Sequence, residues 1–271
     1  MLFVVRNLRA SRVNLLMNDF AAGLPSPLAF LGLADTVVRA LDLEPWSASV
    51  LPVLHEVRVS EGRTKPEMAP SRKDPRRFAP AETAEDLVGA VHASLLLDLP
   101  EHDDELALAD ALEMRRLAGG PICGRRVDVE AVAADGGAFA TLPRGYAMLA
   151  PSDPQLAPIA TGALEDLARV ADLLFPAERV PGTGWRVPLA VGHRLLEDPD
   201  TAPKRTGTRD PAVPHVFAEP AVGVGELVSI RNPRLTGLDA EGLRDVLWRW
   251  QAKGRWVFGH HAFLSADARS A

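Results

Sequence analysis

The chain has 271 residues, 47% hydrophobic and 24% charged, an ordinary globular composition that can bury a core without staples. Its single cysteine, Cys123, excludes a disulfide framework and a thiolate-built structural zinc site. No uncharged apolar run reaches the ~18–20 residues that span a bilayer, and the N-terminus lacks a basic segment followed by a long apolar one, which sets the expectation of a cytoplasmic protein with no membrane partner.

In chain order, residues 2–8 form an apolar run that reads as a strand. Ser26-Pro27 opens a helix, with serine as N-cap and proline in the first turn. Phe30, Leu31, Ala34, Val37, Val38 and Leu41 then line one helical face. Residues 50–59 are β-rich, residues 61–80 are polar, basic and proline-containing and read as a loop, and residues 91–97 read as a strand. An acid-rich helix is expected after Pro100, its carboxylates favoured by the helix dipole, running to a stop at Gly119-Gly120. Residues 127–132, 138–142 and 146–149 are short strand candidates. Thr161 caps a second helix bearing Leu164, Leu167, Val170, Ala171 and Leu174. Residues 185–191 are strand-like, 201–220 are proline-rich and irregular, and Asp239 caps a third helix with Leu243, Val246, Leu247 and Trp250, closed by Gly254. Residues 256–258 end the series as a strand. Strands and helices alternate without a strict βαβ rhythm, which favours α+β over a doubly wound sheet.

The net charge of −6 speaks against nucleic acid if read alone. Its distribution says otherwise. Residues 98–113 hold seven acids and no Lys or Arg, leaving 30 basic against 29 acidic residues elsewhere. Residues 58–77 carry seven basic and three acidic residues, and the first eighteen carry Arg6, Arg9 and Arg12 with no acid. Arg outnumbers Lys 26 to 4, and its planar donor fork suits phosphate.

Motifs of enzymes are missing: no phosphate-binding loop, no H-E-x-x-H, no G-x-S-x-G. The pairs Gly182/Gly184 and Gly223/Gly225 open no βαβ unit. His102 with Asp103 and Asp104 reads as a solvated helix start, His260-His261 as an exposed tail or strand edge, and Cys123 as a small core residue. Three segments place arginine forks on backbone that a phosphate chain could approach. The first holds Arg6, Arg9, Arg12 and Asn14. The second holds Arg115, Arg116, Gly119 and Gly120. The third is a basic loop with Lys204, Arg205 and Arg209, expected to order only on nucleic acid.

At these segments the chain resembles a known family. Gly23-Leu-Pro25 leading into Pro27-Leu-Ala-Phe-Leu-Gly32, the strand at 91–95, the segment 114–122, and then Gly184-Trp-Arg-Val-Pro-Leu-Ala-Val-Gly192, Arg209-Asp210, His215-Val-Phe-Ala-Glu219 and Val224-Gly-Glu-Leu227 resemble, in order, the type I-F Cas-five (Csy-two) proteins of CRISPR surveillance complexes. The resemblance implies a ferredoxin-like, RRM-related core in a single RAMP-type domain over 1–271, with a basic loop around 58–80 and a proline-rich one around 201–220. It implies a non-catalytic subunit that grips the 5′ handle of the CRISPR RNA (crRNA) without a cofactor. Its implied partners are Cas-seven-type filament subunits, a Cas-eight-type large subunit where the system has one, and target DNA. The compact length suggests a reduced variant. Two other readings stay open. One is a metal-independent endoribonuclease that processes precursor crRNA, with its base among His55, His92, His102, His193 and His215. The other is an interaction domain unrelated to CRISPR.

Overall fold

A computed structural model describes residues 1–18, 21–60, 68–70, 74, 76, 78–80, 87–124, 127–150, 168, 171–178, 182–205, 207–208 and 213–260. The fold is α+β and mostly antiparallel sheet. In chain order the elements are β1 (Leu2–Asn14), α1 (Pro27–Ala40), β2 (Ser49–Val59), β3 (Met68–Pro70), β4 (Phe78–Pro80), β5 (Val88–Asp98), α2 (Glu105–Leu112), β6 (Arg116–Leu117), β7 (Gly120–Pro121), β8 (Asp128–Ala131), β9 (Tyr146–Leu149), β10 (Trp185–Leu195), β11 (Ala218–Ser229), α3 (Pro233–Thr236), α4 (Ala240–Asp245), β12 (Arg249–Lys253) and β13 (Trp256–His260). Nine strands form one sheet in the order β12-β13-β10-β11-β9-β2-β5-β1-β8, every neighbouring pair antiparallel. At one end of it, β8-β1-β5-β2 is a four-stranded unit, with α1 linking β1 to β2 and α2 linking β5 to β8.

The sheet is covered on both faces, so its central strands are apolar on both sides. On one face Phe3, Val5, Leu8, Leu95 and Leu97 meet Phe30, Leu31 and Val37 of α1 and Leu108 and Leu112 of α2. On the other face Val4, Leu51, Val53 and Leu96 meet Phe139, Leu142 and Leu243, from residues 138–142 and α4. α1 starts as its sequence dictates: Ser26 Oγ accepts from the Leu28 N–H at 3.0 Å, and Pro27 follows. At its C-terminal end Arg39 donates to Asp35 at 2.7 Å and lies over the Trp46 ring, which meets Trp250 of β12 edge-on.

Several expected elements come out differently. The acidic helix stops at Leu112, because the buried anchors end there and Arg115 Nε donates to the Ala111 carbonyl at 2.7 Å. The Gly119-Gly120 turn therefore belongs to the β6–β7 hairpin, not to a helix end. Residues 138–142 form turns: Arg231 donates to the Phe139 and Leu142 carbonyls at 2.6 and 2.7 Å, removing them from any ladder. Trp250 is in a strand, since Arg249–Lys253 pairs with β13 across the Gly254 turn and α4 ends at Asp245. The loop at 61–80 contains the short β3–β4 ladder. His260 is a buried strand residue, not an exposed tail, and Cys123 is exposed, not core. Of the helix expected from Thr161, only residues 168 and 171–178 are described; 168 and 171–174 are helical. Gly225 serves strand packing: a Cβ there would lie 2.1 Å from Leu189 Cδ1. Among the described residues no helix is long and apolar enough to cross a membrane.

The β10–β11 ladder is tied to α3 by a buried carboxylate. Glu226, 3% exposed, accepts from Arg234 at 2.7 and 3.2 Å and from the Gly184 N–H at 2.6 Å. Arg234 itself is exposed, so its loss removes two charge-assisted hydrogen bonds and lets water reach Glu226, which keeps its bond from Gly184. Arg234→Ala is therefore expected to lower unfolding stability by about 1.5 kcal/mol in urea titration. A loss within the ~0.5 kcal/mol typical of surface changes would remove the pair from the supports of the fold.

Candidate nucleic-acid interface

β1 carries the first predicted segment, and two bulges set how it presents its side chains. The register against β5 slips between Val5 and Leu8 and again between Ala10 and Val13, with Asn7 and Arg12 in the left-handed region at φ 57° and 55°. Leu8 and Ala10 keep to the α1 side, and Arg9, paired with His92 of β5, takes the opposite face. The outer edge of β1 changes partner along its length. Phe3–Arg6 pairs with β8; farther on the Cys123 N–H donates to the Arg9 carbonyl at 2.7 Å, Ala10 bridges Ile122, and the Asn14 N–H donates to the Ala118 carbonyl at 3.1 Å. The structure thus brings the first two predicted segments together, Arg9, Arg12 and Asn14 beside the hairpin that bears Arg115, Arg116, Gly119 and Gly120.

The hairpin glycines differ in role. A Cβ on Gly120 would sit 2.3 Å from the Ser11 carbonyl oxygen, so Gly120 is bare to admit the chain's own β1, not a ligand backbone. Gly119, at φ +82°, has open space where a side chain would be. Arg116 donates to the Gly119 carbonyl at 2.9 Å and is exposed. Arg6 is committed to its own chain, donating to Glu130 and, at 2.9 Å, to Thr141. Arg9 is exposed and its guanidinium has no acceptor among the described residues.

Beside Arg9, on the face away from α1, lies a histidine pair that sequence reasoning named only as separate residues. The rings of His55 and His92 stand 4.9 Å apart, tilted by 52°. His55 Nδ1 is 3.0 Å from the Arg144 carbonyl and Nε2 is 2.8 Å from Ser94 Oγ. A carbonyl only accepts, so Nδ1 carries the proton, and Nε2 accepts from the Ser94 hydroxyl. Ser94 is fully buried, and both ring nitrogens of His55 are engaged within the chain. His92 Nε2 is buried with no hydrogen-bond partner among the described residues. Burial is the largest cause lowering the pKa of both histidines, and the Arg9 charge lowers both further; the Arg144 carbonyl partly offsets this at His55 and Glu56 at His92. The signal in sequence was His55 and His92 on two expected strands; their convergence with Arg9, which lies beyond the strand expected at residues 2–8, needed the register. The other internal histidines form no cluster with them: His102 Nε2 lies 2.9 Å from the Asp104 carbonyl and His215 Nδ1 2.7 Å from the Val213 carbonyl. Among the described residues no group of three or more metal-ligating side chains converges.

The third segment is elsewhere. An open groove of about 380 Å³, lined by Asn14, Asn18, Ser26, Ala118, His193 and Pro220 among others, separates the β6–β7 hairpin from the β10–β11 ladder. Lys204 is exposed. Arg205 is not a free loop cation awaiting nucleic acid: it donates twice to Glu197 at 2.6 Å, donates to the His215 carbonyl at 3.1 Å, and covers the Phe217 ring at 4.3 Å. The Arg205 hydrogen bond and the Phe217 N–H hold the Glu197 carboxyl below the usual range. Arg209 and most of the basic loop around 58–80 lie outside the described residues.

Two outcomes follow from these contacts. Arg205→Ala should lower the thermal midpoint measurably in calorimetry while Lys204→Ala leaves it unchanged; equal midpoints would free Arg205 for a ligand. The folded chain holds His55 and His92 neutral below the pH at which the unfolded chain would, so their contribution is complete above pH ~6.5 and is lost as pH falls through their lowered folded values. In NMR titration both should give midpoints below the ordinary histidine value, and Arg9→Ala should raise that of His92; an unmoved or lowered midpoint would place Arg9 away from the pair.

Comparison with known proteins adds one match. The family model described as CRISPR-associated protein (Cas_Csy2) matches residues 168–256, which run from the described turn of helix through β10, β11, α3, α4 and β12 into β13. None of the curated proteins searched matches the chain. The matched stretch contains the Gly184–Gly192, His215–Glu219 and Val224–Leu227 segments on which the sequence resemblance rested, and over this third of its length the chain is similar to the Csy2 family of CRISPR-associated proteins.

Proposed function

We propose that this chain is a non-catalytic, RNA-holding subunit of a type I-F CRISPR surveillance complex. It grips the 5′ handle of crRNA, works beside Cas-seven-type filament subunits and a Cas-eight-type large subunit, and helps position target DNA. The observation that carries the reading is the Csy2 match taken with an exposed arginine, Arg9, that has no acceptor among the described residues and stands on the sheet face turned away from α1 and α2. The order β8-β1-β5-β2, with a helix joining each outer strand to the central strand it does not neighbour, supports a ferredoxin-like core. In RRM-type folds of this kind single-stranded RNA lies across the sheet. Arg9 supplies an exposed cation along one margin of that sheet, and the exposed Arg116, held at the Gly119 carbonyl, supplies one on its hairpin, whereas Arg6, Arg115 and Arg205 are bound more deeply by their own chain. The acid-rich α2 and the turn before it suit a basic partner subunit. The locked tautomer of His55 and the burial of Ser94 support a holding role over ribonuclease chemistry.

The test is co-expression of the tagged chain with its neighbouring subunits and a repeat-spacer transcript. The expected result is co-purification of crRNA whose 5′ end retains repeat-derived sequence. Arg9→Ala and Arg116→Ala should each weaken RNA retention and reduce the salt slope by ~0.7 per lost phosphate contact. Precursor RNA incubated with the pure chain in EDTA should stay intact. Absence of crRNA from the purified assembly would contradict the holding role, and cleavage in EDTA would establish the ribonuclease reading in its place.

A further inference from the structure

The central strands β1 and β5 carry, at paired positions, a cation and an imidazole: Arg9 faces His92 across the ladder. His92 is half-buried, its ring 4.9 Å from that of His55, and His55 is fixed by Ser94 on one nitrogen and by the Arg144 carbonyl on the other. Gly145 keeps this bracket tight, since a Cβ there would lie 2.6 Å from His55 Nδ1. The pair is therefore an aromatic platform of set orientation, and with both His55 nitrogens in use it is not a chelate. Along β5 the same face grades from exposed Ala90 through half-buried His92 to fully buried Ser94, so the platform stands at the edge of the covered sheet. Nothing in the described chain neutralises Arg9 beside it.

We propose that His92, braced by His55, stacks one nucleobase of single-stranded RNA while Arg9 holds the adjoining phosphate. A base offers a π-face of the size of an imidazole, and its phosphate lies within reach of a cation on the next strand about 5 Å away. The neutral state of the two histidines suits stacking rather than charge pairing. The site rests on the RNA-holding reading but is narrower than it: it assigns one base to one ring, wherever the handle begins or ends.

The probe is a twelve-nucleotide single-stranded RNA bearing 2-aminopurine, titrated at low salt with the full-length chain at concentrations that saturate binding. Stacking quenches the fluorophore, so the wild type should quench it. His92→Ala should lose the quench and bind about tenfold more weakly, while His92→Phe, which keeps a ring but no nitrogen, should restore both. Arg9→Ala should weaken binding and lower the salt slope by ~0.7 with the quench at saturation preserved. Thermal midpoints of the variants verify folding, and His92→Phe guards against a collapsed alanine variant. No quench in the wild type, undiminished quench in His92→Ala, or His92→Phe as weak as His92→Ala would each overturn the inference. Failure of the parent reading looks different: no crRNA would then co-purify with the assembly, whichever ring the probe base meets.

Discussion

The paired bulges of β1 are the constraint on which the rest of the structure depends. Phe3 and Val5, then Leu8 and Ala10, then Val13 and Leu15 all belong to the core beneath α1. An unbroken strand cannot achieve this, because its side chains alternate with a period of two and those positions change parity twice. Each bulge absorbs one residue, restores the phase, and leaves Asn7 or Arg12 in a left-handed conformation. The same correction sends Arg9 to the far face opposite His92. β2 repeats the device at Leu54/Glu56, where His55 is the extra residue and reaches Ser94 and the Arg144 carbonyl. Core burial thus decides where the cation and the two rings stand.

This geometry explains what could be read from the sequence. α1 was legible because a helical apolar stripe, Ser26 and Pro27 agree with one another, and β9 and most of β2 and β5 were legible because dense apolar or β-branched runs leave no competing period. The second half of β1 was not, since apolar positions spaced by two, three, two, three and two fit neither a strand nor a helix. The end of α2, the turns at 138–142 and the strand at Arg249–Lys253 were missed for a different reason: each is decided by a partner distant in sequence, the Arg115 cap, the Arg231 fork and β13.

The candidate interface divides in the same way. That β1 and the hairpin segment would matter was visible as arginine beside asparagine and glycine, and the structure makes them neighbours. Which arginines face outward was not visible, because a guanidinium satisfies a carboxylate or carbonyl of its own chain as readily as a phosphate. Arg6, Arg115 and Arg205 do so, Arg9 finds no such acceptor among the described residues, and composition gives no sign of the difference. The negative net charge is compatible with such a surface because the acids concentrate at residues 98–113, several of them serving local tasks: Asp98 meets Arg244 at 3.3 Å, Asp104 caps α2, and Glu105 accepts from the Ala131 N–H at 2.7 Å.

The account's central claim is that RNA lies on the uncovered end of the sheet face opposite α1 and α2, beside Arg9 of β1 and His92 of β5. Ultraviolet crosslinking of the intact ribonucleoprotein, with crosslinked peptides mapped by mass spectrometry, tests it most directly. The account predicts RNA adducts on peptides containing Arg9 and His92. Adducts confined to the outer surfaces of α1 and α2, with β1 and β5 unmodified, would contradict it.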